Sequence, residues 1–189
     1  MRWDALFTDM ESQFEESDRL TREAEINERT RAELVGIELT DRLRGVLGCS
    51  IGAQLLCGES FRGRLAHAGA DAMVIEEDRQ QVLVPYQAVA RLVGLGRHAL
   101  IEASPVRRAI GLAHSLRALA RDRAVLTVTL GGVQGAARIE GVIDRVGKDY
   151  FDLAAVEPGE SRRSQHIHQV STIPFTALAA IRSLRSQGL

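Results

Sequence analysis

The chain has 189 residues, 45% hydrophobic and 26% charged, with 24 basic against 25 acidic side chains. That composition fits a globular chain of one domain or two small ones and excludes a disordered tail or a coiled-coil rod. No run reaches the roughly 18 apolar residues a membrane span needs. Asp4, Asp9, Glu11, Glu15, Glu16 and Asp18 in the first twenty residues exclude a signal peptide's apolar segment, so the expected location is the cytoplasm, with no membrane partner.

Charge is unevenly placed. Residues 1–45 carry 12 acidic and 7 basic side chains, and six of the remaining arginines fall within 97–123 against only Glu102 and Asp122. The near-zero total argues against wholesale polyanion binding and leaves room for a local basic patch. Lys148 is the only lysine, a bias expected of a GC-rich genome that carries no chemistry by itself.

Residues 1–47 read as an N-terminal helical segment: Glu, Arg, Ala and Leu dominate, and no Pro interrupts them. Trp3, Phe7, Met10 and Phe14 follow a helical 3–4 spacing, as do Val35, Leu39, Leu43 and Val46. Almost nothing between Glu15 and Arg31 is apolar. Unbroken, such a helix would run on the order of 60 Å, with Gly36 as its weak point. Its two apolar ends predict a homo-oligomer or a protein partner, with Trp3, Phe7, Met10 and Phe14 as the interface.

After Gly48 the pattern changes to short strands between Gly-containing turns: 51–56, 61–68, 72–76, 81–84 and 88–93. Ser104-Pro105 then opens a helix, with an N-cap residue followed by Pro at its first position, and its apolar stripe runs to about Arg121. Five more strands follow at 124–130, 136–146, 150–156, 165–173 and 177–181. The two strand-rich parts repeat one another. Gly63, Gly69 and Asp71 match Gly141, Gly147 and Asp149 at a spacing of 78. Val84-Pro85-Tyr86-x-Ala88-Val89 matches Ile173-Pro174-Phe175-x-Ala177-Leu178 at a spacing of 89, the extra residues falling in a polar loop around Glu157–Arg163. Gly63 and Gly141 in mid-strand predict a bend where a small barrel turns its corner. The expectation is therefore α+β: a long N-terminal helix, then two tandem five-stranded Sm-like or SH3-like β-barrels at 48–96 and 124–189, joined by a basic helical linker at 97–123.

Leu55-Leu56-x-Gly58-x-x-Phe61-x-Gly63-x-Leu65, with Asp71-x-Met73 downstream, resembles the first motif of Sm-like (LSm) domains. Thr129-Leu130 through Gly141, Ile143 and Asp149 follows it more loosely. The resemblance covers about two thirds of the chain and implies a small barrel, RNA binding and ring assembly. Two departures stand out. Val74 and Asp152 occupy positions where the family carries Asn, and Val84-Pro85-Tyr86 and Ile173-Pro174-Phe175 replace its Arg-Gly turn. Those positions normally hold base and phosphate. An acidic helix followed by two such barrels also resembles an actinobacterial protein family.

On the linker, Arg107, His114 and Arg121 are spaced by seven, with Arg117 near the same line. On one continuous helix they would share an edge able to track the phosphates of RNA, or be only a solvated face. His166 and His168 would project from one face of a strand, but no further metal ligand lies near them in sequence. Cys49 and Cys57 read as small core residues. Gly131-Gly132-x-x-Gly135 lacks the Lys-Ser/Thr ending of a phosphate loop and reads as a turn. No arrangement of carboxylates, hydroxyls or imidazoles suggests catalysis, and no metal or cofactor is implied. The sequence therefore reads as a non-enzymatic binding protein. One form is an RNA-associated regulator using the basic linker. The other is a protein-interaction scaffold assembling through the acidic helix.

Overall fold

A computed structural model describes residues 2–132, 135–155 and 170–184. The chain divides into two compact units, residues 1–38 and 39–189. The first is the helix α1 (Arg2–Val35). Its polar middle is laced by Arg19, which binds Glu16 at 2.6 Å and Glu23 at 3.5 Å, one helical turn away on either side. The helix stops before Gly36, where the expected weak point lies.

The second unit opens with α2 (Leu39–Arg44), which leads into β1 (Ser50–Leu55), β2 (Ser60–Ala68), β3 (Ala72–Glu77), β4 (Gln80–Pro85) and β5 (Val89–Val93). Helices α3 (Pro105–Ala109) and α4 (Leu112–Asp122) follow. The chain ends in β6 (Leu126–Gly132), β7 (Gly135–Val146), β8 (Tyr150–Ala155), β9 (Val170–Pro174) and β10 (Leu178–Leu184). The two halves repeat in their pairing as well as in their residues. Ile51 faces Gly63 and Leu126 faces Gly141. A bulge falls after Leu65 in β2 and after Ile143 in β7. Each Pro-aromatic pair makes a one-turn 3-10 helix, Tyr86–Ala88 and Phe175–Ala177, and the aromatic N–H donates to Asp71 O at 2.9 Å and Asp149 O at 2.8 Å.

The expectation of two separate five-stranded barrels is overturned. All ten strands form one antiparallel sheet in the order β5-β1-β2-β3-β4-β10-β6-β7-β8-β9, open at both ends. The architecture is mostly β. Physically, β4 leaves its outer backbone groups unpaired, and such an edge is a template for another strand. The seven-residue β10 takes that place, pairing with β4 on one side and β6 on the other. The cores interlock accordingly. The first, around Leu43, Ile51, Phe61, Leu65 and Ile75, also takes in Ala179 and Ala180 of β10. The second, around Leu116, Val128, Phe151 and Leu153, takes in Ala72 and Leu83 of the first half.

The linker helix is corrected too. It is two helices, α3 and α4, interrupted at Ile110-Gly111, where the chain runs extended. The Ser104 cap stands as expected, its Oγ accepting from Arg107 N at 3.4 Å. Cys49 is exposed rather than in the core, because it lies in the tight turns between α2 and β1, and Cys57 is half-buried. The polar loop 157–167 and the His166/His168 pair lie outside the described residues.

Candidate interaction surface

Among the described residues, the joint between the halves brings together backbone pairing, ion pairs and buried apolar side chains. Along its middle, Ile181, Arg182 and Ser183 of β10 pair with Leu83, Val82 and Gln81 of β4. On one side Glu59, just before β2, accepts from Arg138 of β7 at 2.6 Å and from Arg182 at 3.2 Å. The Arg182 guanidinium also lies over the Phe61 ring, 4.8 Å from its centroid, so the charge is held by a carboxylate and an aromatic face together. Gln87 crosses the joint to donate to Phe175 O at 2.6 Å. Gln87 also lines a groove together with Leu56, Cys57, Gly131, Thr176 and Leu178.

On the other side, the Ile110-Gly111-Leu112 corner clasps the turn between β2 and β3. Ala70 N donates to Ile110 O at 2.8 Å, and Leu112 N donates to the Asp71 carboxylate at 2.6 Å. Asp71 thereby satisfies an orphan N–H in the first turn of α4, where a negative charge is favoured. A Cβ at Gly111 would overlap that carboxylate, so a larger residue there would have to displace the Asp71 side chain. Leu112, only 3% exposed, belongs to the same core as Ala72 and Leu83 of the first half. Beneath the clasp the Tyr86 hydroxyl donates to Gly69 O at 3.0 Å. Burial, foremost, raises its pKa well above the usual range; Arg44 pulls it down and Asp71 pushes it up.

Of the residues picked out from sequence, His114, Arg117 and Arg121 are exposed on α4, and Arg117 reaches Gly147 O at 3.4 Å. Arg107 is exposed on α3, on the far side of the break, so the seven-residue spacing does not place it on their edge. Met10 and Phe14 are exposed on α1, Phe14 at 68%, while the side chains of Trp3 and Phe7 lie outside the described residues. Phe151 is buried and Tyr150 half-buried, so neither offers an open platform for a base. Among the described residues no group of three or more His, Cys, Asp or Glu side chains is placed to hold a metal, and no helix is long and apolar enough to cross a membrane.

Sequence reasoning missed the joint's second half. Ile37-x-Leu39-x-x-x-Leu43-Arg44 matches Ile110-x-Leu112-x-x-x-Leu116-Arg117 at a spacing of 73. The repeat thus extends into the helix preceding each set of five strands. No protein-family profile matches the chain, and no curated protein is significantly similar to it.

Proposed function

We propose that this protein is a cytoplasmic, non-enzymatic binding protein, a scaffold that engages proteins by pairing strand edges. One observation carries the reading. The chain already joins its own two halves in this way, through β4 and β10, and among the described residues β5 and β9 each pair on one side only. An exposed strand edge offers main-chain hydrogen bonds for affinity and alternate side chains for specificity. Exposed Met10 and Phe14 make α1 a further surface for a protein partner under the same reading.

Edge competence is tested with a synthetic peptide copying β10, residues 178–184. Added to the full chain, it is expected to slow amide hydrogen exchange in β9, the counterpart of β4, while a scrambled peptide leaves exchange unchanged. Equal exchange with both peptides would refute edge pairing.

A second reading, RNA association, is favoured by the exposed His114, Arg117 and Arg121 on one short helix and by the likeness to Sm-like domains. Changing Arg107, Arg117 and Arg121 together to Gln keeps helix propensity. It should flatten the slope of log affinity against log salt by about 0.7 for each single-strand phosphate that is no longer neutralised. A wild-type chain that binds no RNA at low salt removes this reading.

A further inference from the structure

The order of residues along α1 names a partner for that helix. We infer that α1 pairs with α1 of a second copy of this chain, the two helices running antiparallel over residues 9–35, with Met10 of one copy opposite Leu34 of the other. The inference rests on the reading of α1 as a surface for a protein partner and adds the partner, the orientation and the register.

The unit 1–38 is built on one helix, Arg2–Val35. A helix gains most of its stability from packing an apolar face and little from propensity. Yet five large apolar side chains of α1 stand open to water: Met10, Phe14, Leu20, Leu34 and Val35, from 43% exposed at Met10 to 88% at Val35.

Their spacing is that of a seam between helices. Alternating steps of three and four from Met10 reach Gln13, Ser17, Leu20, Ala24, Asn27, Arg31 and Leu34. Two copies running in opposite directions and centred on Arg22 set Met10 against Leu34, Leu20 against Ala24, Gln13 against Arg31 and Ser17 against Asn27. Apolar positions meet apolar ones and polar positions meet polar ones in every layer. Phe14 and Val35 each follow a seam position, so both border the same flank. In an antiparallel pair that flank meets its own copy, which brings Phe14 of one chain beside Val35 of the other. The opposite flank brings Glu16 near Glu23. Arg19 binds both carboxylates within its own helix, at 2.6 Å and 3.5 Å, and offsets their repulsion.

Charge selects the orientation. Residues 2–18 carry six acidic side chains against Arg2, whereas residues 19–35 carry four arginines against four glutamates. A parallel pair would lay the acidic half along itself and set Arg31 against Arg31 within the seam. The antiparallel pair lays the acidic half along the arginine-bearing half, and complementary charge of this kind fixes register.

The contact is a weak one. It spans on the order of 40 Å of helix, but half of its layers are polar, and polar layers specify orientation at a cost in stability. Association is therefore reversible and depends on concentration.

The test is the mass of the full-length chain, by sedimentation equilibrium and light scattering, from low micromolar to near-millimolar concentration. The wild type should pass from one chain to two. Met10→Lys and Leu34→Glu should each raise the concentration of half-association about tenfold or more, because each places an unpaired charge in an apolar layer. Lys and Glu are good helix formers, and thermal melts of the dilute variants check that the 39–189 unit is intact.

Orientation is read from the two changes combined. In antiparallel chains the new charges share a layer and have opposite signs, so the double variant should recover most of the lost association. In parallel chains each charge would face its own kind, and the double variant would associate less than either single one, which overturns the antiparallel pair. A wild type that stays monomeric throughout overturns the second copy as partner. An associating wild type whose α1 variants behave identically to it does the same and assigns the contact elsewhere. The peptide experiment decides edge pairing independently of all three.

Discussion

Gly63→Ala and Gly141→Ala are each expected to cost about 3 kcal/mol or more, at the upper end of what overpacking does. In both strands the next strand's backbone presses against the glycine. A Cβ at Gly63 would overlap the Glu76 carbonyl oxygen, and one at Gly141 the Ala154 carbonyl oxygen. The obstruction is main chain within a hydrogen-bonded ladder, so no flexible side chain can swing away to make room. Relief requires parting β2 from β3, or β7 from β8. Gly52, also in a strand, has its nearest neighbour 3.8 Å from such a Cβ, and Gly52→Ala serves as the control with little loss. Urea denaturation of the three variants measures the difference. A cost at Gly63 no larger than at Gly52 would show that the pairing of β2 with β3 does not depend on this close approach.

Those two glycines were legible in the sequence because a repeated mid-strand Gly has a steric reason to be there. The strands were legible for a similar reason. A half-buried strand alternates its side chains, as in β2, where Phe61 and Leu65 are buried and Arg62 and Arg64 between them are exposed. The β4–β10 joint left no such trace. It is made by backbone hydrogen bonds, which any residue except Pro supplies, and the buried residues of β4 look the same whether its outer edge is paired or open. The break at Ile110-Gly111 was hidden differently: the apolar spacing from Val106 to Ala120 reads through it, and the Asp71 carboxylate that lies against Gly111 comes from a distant part of the sequence. The Leu39 and Leu112 match is visible as a repeated Leu-x-x-x-Leu-Arg. It is masked because one copy follows the long acidic segment in sequence and the other lies within a basic one, so the opposite charge of the neighbouring residues hides the shared apolar spacing.

Phe151→Ala is expected to lower the stability of the whole sheet by about 4 kcal/mol, the usual cost of removing a fully buried aromatic side chain. Phe151 is completely buried in the second core, 6.5 Å from the Phe175 ring, and its backbone pairs with both Val146 and Ile173. What the variant decides is how far the damage spreads. If the halves were separate barrels, only the second would melt early, and a second transition with wild-type stability would remain for the first. The interlocked cores predict otherwise. Ala179 and Ala180 belong to the first core, and Ala72 and Leu83 to the second. Unfolding the second half therefore strips β4 of its neighbour and uncovers apolar surface on both sides of the joint. A single transition should persist at a lower denaturant midpoint, with near-identical curves from the Trp3-independent far-ultraviolet signal and from hydrogen exchange in β2. Two separated transitions, with β2 protected after β8 has exchanged, would show that the joint couples the halves only weakly.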